Sequence, residues 1–234
     1  MKTILATILS FTVLGGVVYL YYIWQVTRFS LRRASSACVE REAIPREVRC
    51  RLDEAESFLN RNGFVYVGSF SMIPMLVLPG QSDTFWDNYY SEKTGILASV
   101  FSIPPGAPCT LSYMSCFKGG ETWETINRNA HQMLGPHKWS IFDDYLQNEQ
   151  EVLYAHINRL RDSGQLPVLD LENVQSRVWN NFISTVDYWT EQRIMKQAGE
   201  YWHFTWRGAF QLVARIRKGK KRLRRLPPFS NLTE

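Results

Sequence analysis

Between Thr3 and Trp24 the chain reads TILATILSFTVLGGVVYLYYIW, 22 residues without a charge. At about 1.5 Å per residue, a helix of this length matches the ~30 Å hydrocarbon layer of a bilayer. Tyr19, Tyr21, Tyr22 and Trp24 crowd its C-terminal end, where amphipathic rings settle at the level of lipid headgroups. A cleaved signal peptide has a shorter apolar stretch, about 7–15 residues, with a small-residue cleavage site close behind. No A-x-A follows this run, and Ser35-Ser36-Ala37 before Cys38 stands beyond Arg28, Arg32 and Arg33. The run is therefore expected to be an uncleaved transmembrane anchor. Within it, Ala6 and Ser10, together with Gly15-Gly16, offer small-residue steps for helix pairing.

Charge sets the expected orientation. Arg28, Arg32, Arg33 and Arg41 follow the run, whereas Lys2 alone precedes it. The bias of basic residues toward the cytoplasm predicts a single-pass protein with its N-terminus outside and its large C-terminal part in the cytoplasm.

The net charge of +5 is local. Arg215, Arg217, Lys218, Lys220, Lys221, Arg222, Arg224 and Arg225 lie within 11 residues that hold no acid. Without these eight, 19 basic residues face 22 acidic ones. Such a patch suits a polyanionic surface. The expected partner is the lipid bilayer, through its anionic headgroups, with the tail fastening the far end of the globular part to the membrane. Nucleic acid is a secondary reading, and a protein partner of unknown identity is expected besides.

The composition of the whole chain, 45% hydrophobic and 21% charged, is that of a globular protein and excludes a disordered chain. Residues 1–24 are read as the anchor, 25–45 as a juxtamembrane linker, 46–214 as an α+β domain and 215–234 as a basic tail. In the domain, Val48, Leu52, Ala55, Phe58 and Leu59 recur at helical spacing and Gly63 stops them. Strands are predicted at 64–70, 75–78, 96–103, 109–117 and 122–126 from their β-branched and aromatic content. The polar stretch 78–95 reads as irregular. Helices are predicted over 142–161 and 171–198. Short turns between successive strands favour an antiparallel sheet, with helices on one face.

No residue pattern writes a chemistry. The four cysteines, Cys38, Cys50, Cys109 and Cys116, include no C-x-x-C pair. G-x-S-x-G, S-x-x-K and a Gly-rich phosphate loop are absent from the sequence. His131 and His137 precede Asp143 and Asp144, a dispersed set on which a hydrolase-like or metal site is conceivable, without a ligand motif's spacing. His156, between Val152/Leu153 and Leu160, reads as a hydrogen-bonded core histidine. Glu121 and Glu124 flank Trp123, but residues three apart on a strand face opposite sides. The dense aromatics of the last third read as core filling rather than base-stacking platforms.

A helix ending Leu59-Asn60-Arg61-Asn62-Gly63-Phe64, followed by Tyr66-Val67-Gly68, resembles uncharacterised membrane-anchored bacterial proteins of unknown function. So do Gly119-Gly120-Glu121-Thr122-Trp123-Glu124-Thr125-Ile126-Asn127, the helix carrying His156, and the stretch from Tyr201 to Ala209. The resemblance spans about residues 50–215 and implies an α+β fold without an activity. The sequence thus predicts a membrane-tethered binding or scaffolding domain, with no catalytic residues, cofactor or metal. An enzyme with a dispersed site stands as the alternative.

Overall fold

The computed structural model describes residues 2–32, 35–73, 84–102, 110–126, 139–143 and 148–223. The chain forms two compact units, a larger one of residues 33–185 and a smaller one that joins residues 1–32 to 186–234.

In the larger unit a seven-stranded sheet runs in sequence order: β2 (Ser35–Val39), β3 (Val65–Ile73), β4 (Thr84–Ser91), β5 (Ile96–Ser102), β6 (Thr110–Cys116), β7 (Thr122–Ile126) and β8 (Trp139–Asp143). Every pair is antiparallel except β7 and β8, which are parallel. The fold is α+β with a mixed sheet. Two further helices of this unit are α2 (Arg46–Arg61) and α3 (Glu149–Ser163); the longer α4 (Leu171–Glu191) begins in it.

Local chemistry explains the helix ends. The Asn148 side chain accepts the Glu151 N–H at 2.9 Å and caps α3. Gly164, at φ +66°, ends it in the left-handed conformation that glycine adopts without a Cβ penalty.

Helices cover both faces of the sheet, not one. Leu52, Ala55 and Leu59 of α2, with Val152 and Leu153 of α3, pack with Tyr89, Ala98, Val100, Leu111 and Tyr113. On the opposite face Val174 and Val178 of α4 meet Tyr90, Leu97, Met114 and Cys116. Tyr89 and Tyr90 are neighbours in β4 yet belong to opposite cores, as the two-residue period of a strand requires. All seven residues of β6 are buried. Strands buried on both faces lose the alternation of a half-solvated sheet.

Several sequence expectations change here. Residues 25–45 are not a linker: they hold β1 (Ser30–Leu31), β2 and a short 3-10 turn at Arg41–Ala43. The polar stretch 78–95 contains β4, one of the best-buried strands. The sheet is not wholly antiparallel, because β8 enters alongside β7. The helix expected to begin at Phe142 begins at Glu149, and the last predicted helix ends at Glu191 rather than 198. The expected strand at 75–78 lies outside the described residues.

The smaller unit contains α1 (Lys2–Thr27), β1, the last turns of α4, β9 (Met195–Ala198), β10 (Tyr201–Phe204) and α5 (Trp206–Leu223). Its sheet has the order β1-β10-β9, with Ser30 opposite His203 and Leu31 opposite Trp202. Ile23, Leu31, Val186, Trp189, Met195, Trp202, Phe204 and Ala209 are all buried in this unit. Fully burying a large apolar side chain contributes about 1.5–3 kcal/mol, so this cluster supplies a core of its own. Gly208 fits because a Cβ there would overlap the backbone carbonyl oxygen of Ile194.

Candidate functional site

The side chains of α1 are described from Val13 onward. Val13, Leu14, Val17 and Val18 are 46–59% exposed, and Gly15 and Gly16 have nothing within 4 Å of an added Cβ. These consecutive positions point to all sides of a helix, so this part of α1 is apolar and uncovered all round. Covering begins at the next residue, on one side of the helix. Tyr19 is half-buried and meets Phe210 of α5, Ile23 is buried, and Val26 is nearly so. Among the described residues no helix is long and apolar enough to cross a membrane.

Exposed aromatics concentrate in the same unit. Tyr21, Tyr22, Trp24, Phe29, Tyr201, Trp206 and Phe210 are exposed there, against Tyr154 in the described part of the larger unit. Arg28 stacks over Trp24 at 4.8 Å. The apolar stretch, the exposed rings and this cation thus belong to one unit.

The basic residues extend the unit. Arg215, Arg217, Lys218, Lys220, Lys221 and Arg222 fall within α5, while Arg224 and Arg225 lie outside the described residues. The tail was expected to start at 215 as a separate segment and to fasten the far end of the globular part. Instead the helix is continuous from Trp206, and its first turns pack on α1. The basic segment therefore starts beside the helix expected to be the anchor, because Ala209 and Gly208 seat α5 in the core of the smaller unit.

The larger unit buries polar groups of three kinds. The first is a network around Asp87, whose side chain is fully buried. Ser69 Oγ donates to its Oδ1 at 2.5 Å, and Arg41 Nη2 stands 3.4 Å from Oδ2. The same Nη2 donates to Asp53 at 2.8 Å and to Glu56 at 2.7 Å. Burial raises the Asp87 pKa, and the Ser69 hydrogen bond and the Arg41 charge oppose that rise. Burial works against the Arg41 charge, yet the Glu56 hydrogen bond and the surrounding acids hold its pKa above the usual value. This network ties the turn at Arg41 to α2 and the sheet. It reads as structural.

The second is His156, buried between Ser115 Oγ at 3.0 Å from Nε2 and Thr125 Oγ1 at 2.9 Å from Nδ1. Arg159 donates to the same Thr125 oxygen at 2.8 Å. Burial lowers the His156 pKa to about 3, so the ring is neutral at pH 7. The hydrogen-bonded core histidine expected from sequence is what the structure holds.

The third is Glu124. It stands opposite Met114 in the register of β6 and β7, on the face that α4 covers. Glu121 is exposed ahead of β7, so the two glutamates do not converge. Burial raises the Glu124 pKa to about 7, while Ser112 and Trp139 pull it back. Neither Ser112 Oγ nor Trp139 Nε1 completes a hydrogen bond of ordinary geometry, so that opposing pull is weak beside the desolvation. Nearby, Ser99 Oγ donates to Asn88 Oδ1 at 2.6 Å. Sequence reasoning set Glu124 aside as half of a pair; the signal it missed was a lone charge inside an otherwise uncharged strand.

His131, His137 and Asp144 lie outside the described residues, and Asp143 ends β8. Among the described residues no group of three or more His, Cys, Asp or Glu could hold a metal ion. Cys38, Cys50 and Cys116 are free thiols, and Cys109 lies outside the described residues. No protein-family model, curated protein or solved structure matches this chain.

Proposed function

We propose that this chain is a single-pass membrane-anchored protein whose larger unit serves as a non-enzymatic binding or scaffolding domain at the cytoplasmic membrane surface. One observation carries the anchoring: Val13–Val18 of a 26-residue helix is apolar and uncovered on every side. A helix apolar all round requires either a protein core or lipid around it, and the preceding residues of α1 continue without a charge back to Thr3. The positive flank Arg28, Arg32, Arg33 supports the orientation. The non-enzymatic reading is supported by the polar groups described in the larger unit, most of which are spent on holding the sheet and its helices together.

The test is extraction and topology of the full chain in cells. The chain is expected to stay with membranes in alkaline carbonate, and a reporter fused at Glu234 is expected to behave as cytoplasmic. Deleting residues 3–24 should release the chain. Release of the intact chain by carbonate overturns the anchor, and a lumenal or periplasmic reporter signal overturns the orientation.

Glu124 favours a second reading, a membrane-anchored enzyme. A carboxyl that titrates near pH 7 suits general acid–base work. Its side chain is buried, however, and the two groups beside it are a serine and an indole rather than a nucleophile–base pair.

A further inference from the structure

We propose that the first turns of α5, Trp206 to Ala214, lie in the headgroup layer of an anionic bilayer as an interfacial helix beside the end of α1. This rests on the anchor reading above and adds a second, independently placed membrane contact. The boundary between covered and uncovered parts of α1 falls at Tyr19. Lys2 to Val18 rises about 25 Å at 1.5 Å per residue, close to the ~30 Å of hydrocarbon in a bilayer. The packed part of α1 thus begins near where the hydrocarbon would end.

Phe210 meets Tyr19 at a ring separation of 5.8 Å, which brings α5 to that boundary. Beyond it α5 does not follow α1, because Val13–Val18 stay exposed. Trp206 is 53% exposed and Phe210 39%; beside them Arg207 is exposed. From Trp206 to Arg222 the helix carries seven basic residues and no acid. Aromatic residues near the anchor's end followed by unopposed positive charge fit anionic lipid: rings enter the headgroup layer and cations pair with phosphates. A protein partner seated on the same rings is the competing occupant.

The experiment uses the full chain reconstituted into vesicles of phosphatidylcholine alone, and of phosphatidylcholine with phosphatidylglycerol. A photoreactive p-benzoylphenylalanine replaces Trp206, Phe210 or, as a control in α3, Tyr154. Circular dichroism checks folding of each variant. Lipid adducts are expected at 206 and 210, several-fold above 154, with a further rise when phosphatidylglycerol is present. Changing Arg215, Arg217, Lys218, Lys220, Lys221 and Arg222 to Gln should remove that rise. A carbonate-resistant chain with no lipid adducts at 206 and 210 overturns this proposal and leaves the anchor standing. Adducts from a carbonate-extractable chain support it while the anchor fails. A rise unchanged by the six substitutions overturns the role of charge, and adducts at 154 equal to those at 206 overturn the placement.

Discussion

The ring of Tyr19 meets that of Phe210 edge-on, with centroids 5.8 Å apart and planes inclined by 62°. This contact joins the first helix to the last and locates the point where α1 passes from uncovered to packed. Edge-to-face pairs contribute about 0.5–1.5 kcal/mol beyond the area they bury. In a double-mutant cycle of Tyr19→Leu and Phe210→Leu, a coupling energy of about 1 kcal/mol is expected from denaturation in detergent. Strict additivity would show that the rings are neighbours without interacting.

Gly208 is expected to be intolerant of the smallest addition. Its Cβ position is occupied by the Ile194 carbonyl oxygen, so Gly208→Ala should force α5 away from β9. Overpacking of this kind costs about 1–3 kcal/mol. Gly119, with open space around it, provides the control, and Gly119→Ala should be close to neutral. Limited proteolysis reads the difference: early cleavage within 186–223 is expected for Gly208→Ala alone. Equal protection of the two variants would contradict the tight approach.

Glu124 and His156 should give stability opposite dependences on pH. The Glu124 pKa rises from 4.5 to about 7 on folding, so its contribution is fully present below pH 4.5 and is lost as pH climbs through 7. The His156 pKa falls from 6.5 to about 3, so its contribution is present above 6.5 and is lost as pH falls toward 3. Between pH 4.5 and 6.5 the two slopes cancel. Glu124→Gln should remove this loss, which between pH 6 and the folded pKa near 7 is on the order of 1 kcal/mol at 1.36 kcal/mol per pH unit. Urea titrations at pH 6 and pH 8.5 check this. An unchanged pH profile in the variant would show that Glu124 ionises freely in the folded chain.

Arg41 should matter more than its half-exposed position suggests. Arg41→Ala strands the buried Asp87 carboxylate beside Asp53 and Glu56, and breaking one partner of a buried pair costs about 3–5 kcal/mol. Adding Asp87→Asn should recover much of the loss, since the Ser69 hydroxyl still finds an oxygen acceptor. If the double variant is no more stable than Arg41→Ala, the penalty comes from lost packing over Tyr66, where the guanidinium sits 5.0 Å from the ring centroid, and not from charge.

The helices α2 and α3 were legible because their apolar spacing and end signals are local. Strand β4 was not. Thr84–Ser91 carries Asp87 and Asn88 at its centre, and polar residues read as surface until partners appear. Those partners come from elsewhere in the chain: Ser69 and Arg41 for Asp87, and Ser99 for Asn88. Helices on both faces left a trace in β6, where Tyr113 and Met114 are consecutive apolar residues on opposite faces, but short apolar runs do not reveal what covers them.

The sequence by itself determined the apolar character of α1, the isolation of positive charge near the C-terminus, and the two helices of the larger unit's first core. These properties belong to consecutive residues, and composition and period suffice to read them. Only the tertiary structure decided that Ser30–Leu31 pairs with Tyr201–Phe204, that the basic helix starts against Tyr19, and that Glu124 and Asp87 are interior groups. Each of these depends on which distant segments come into register. Pairing energy is shared between two stretches of chain, so neither stretch carries it alone.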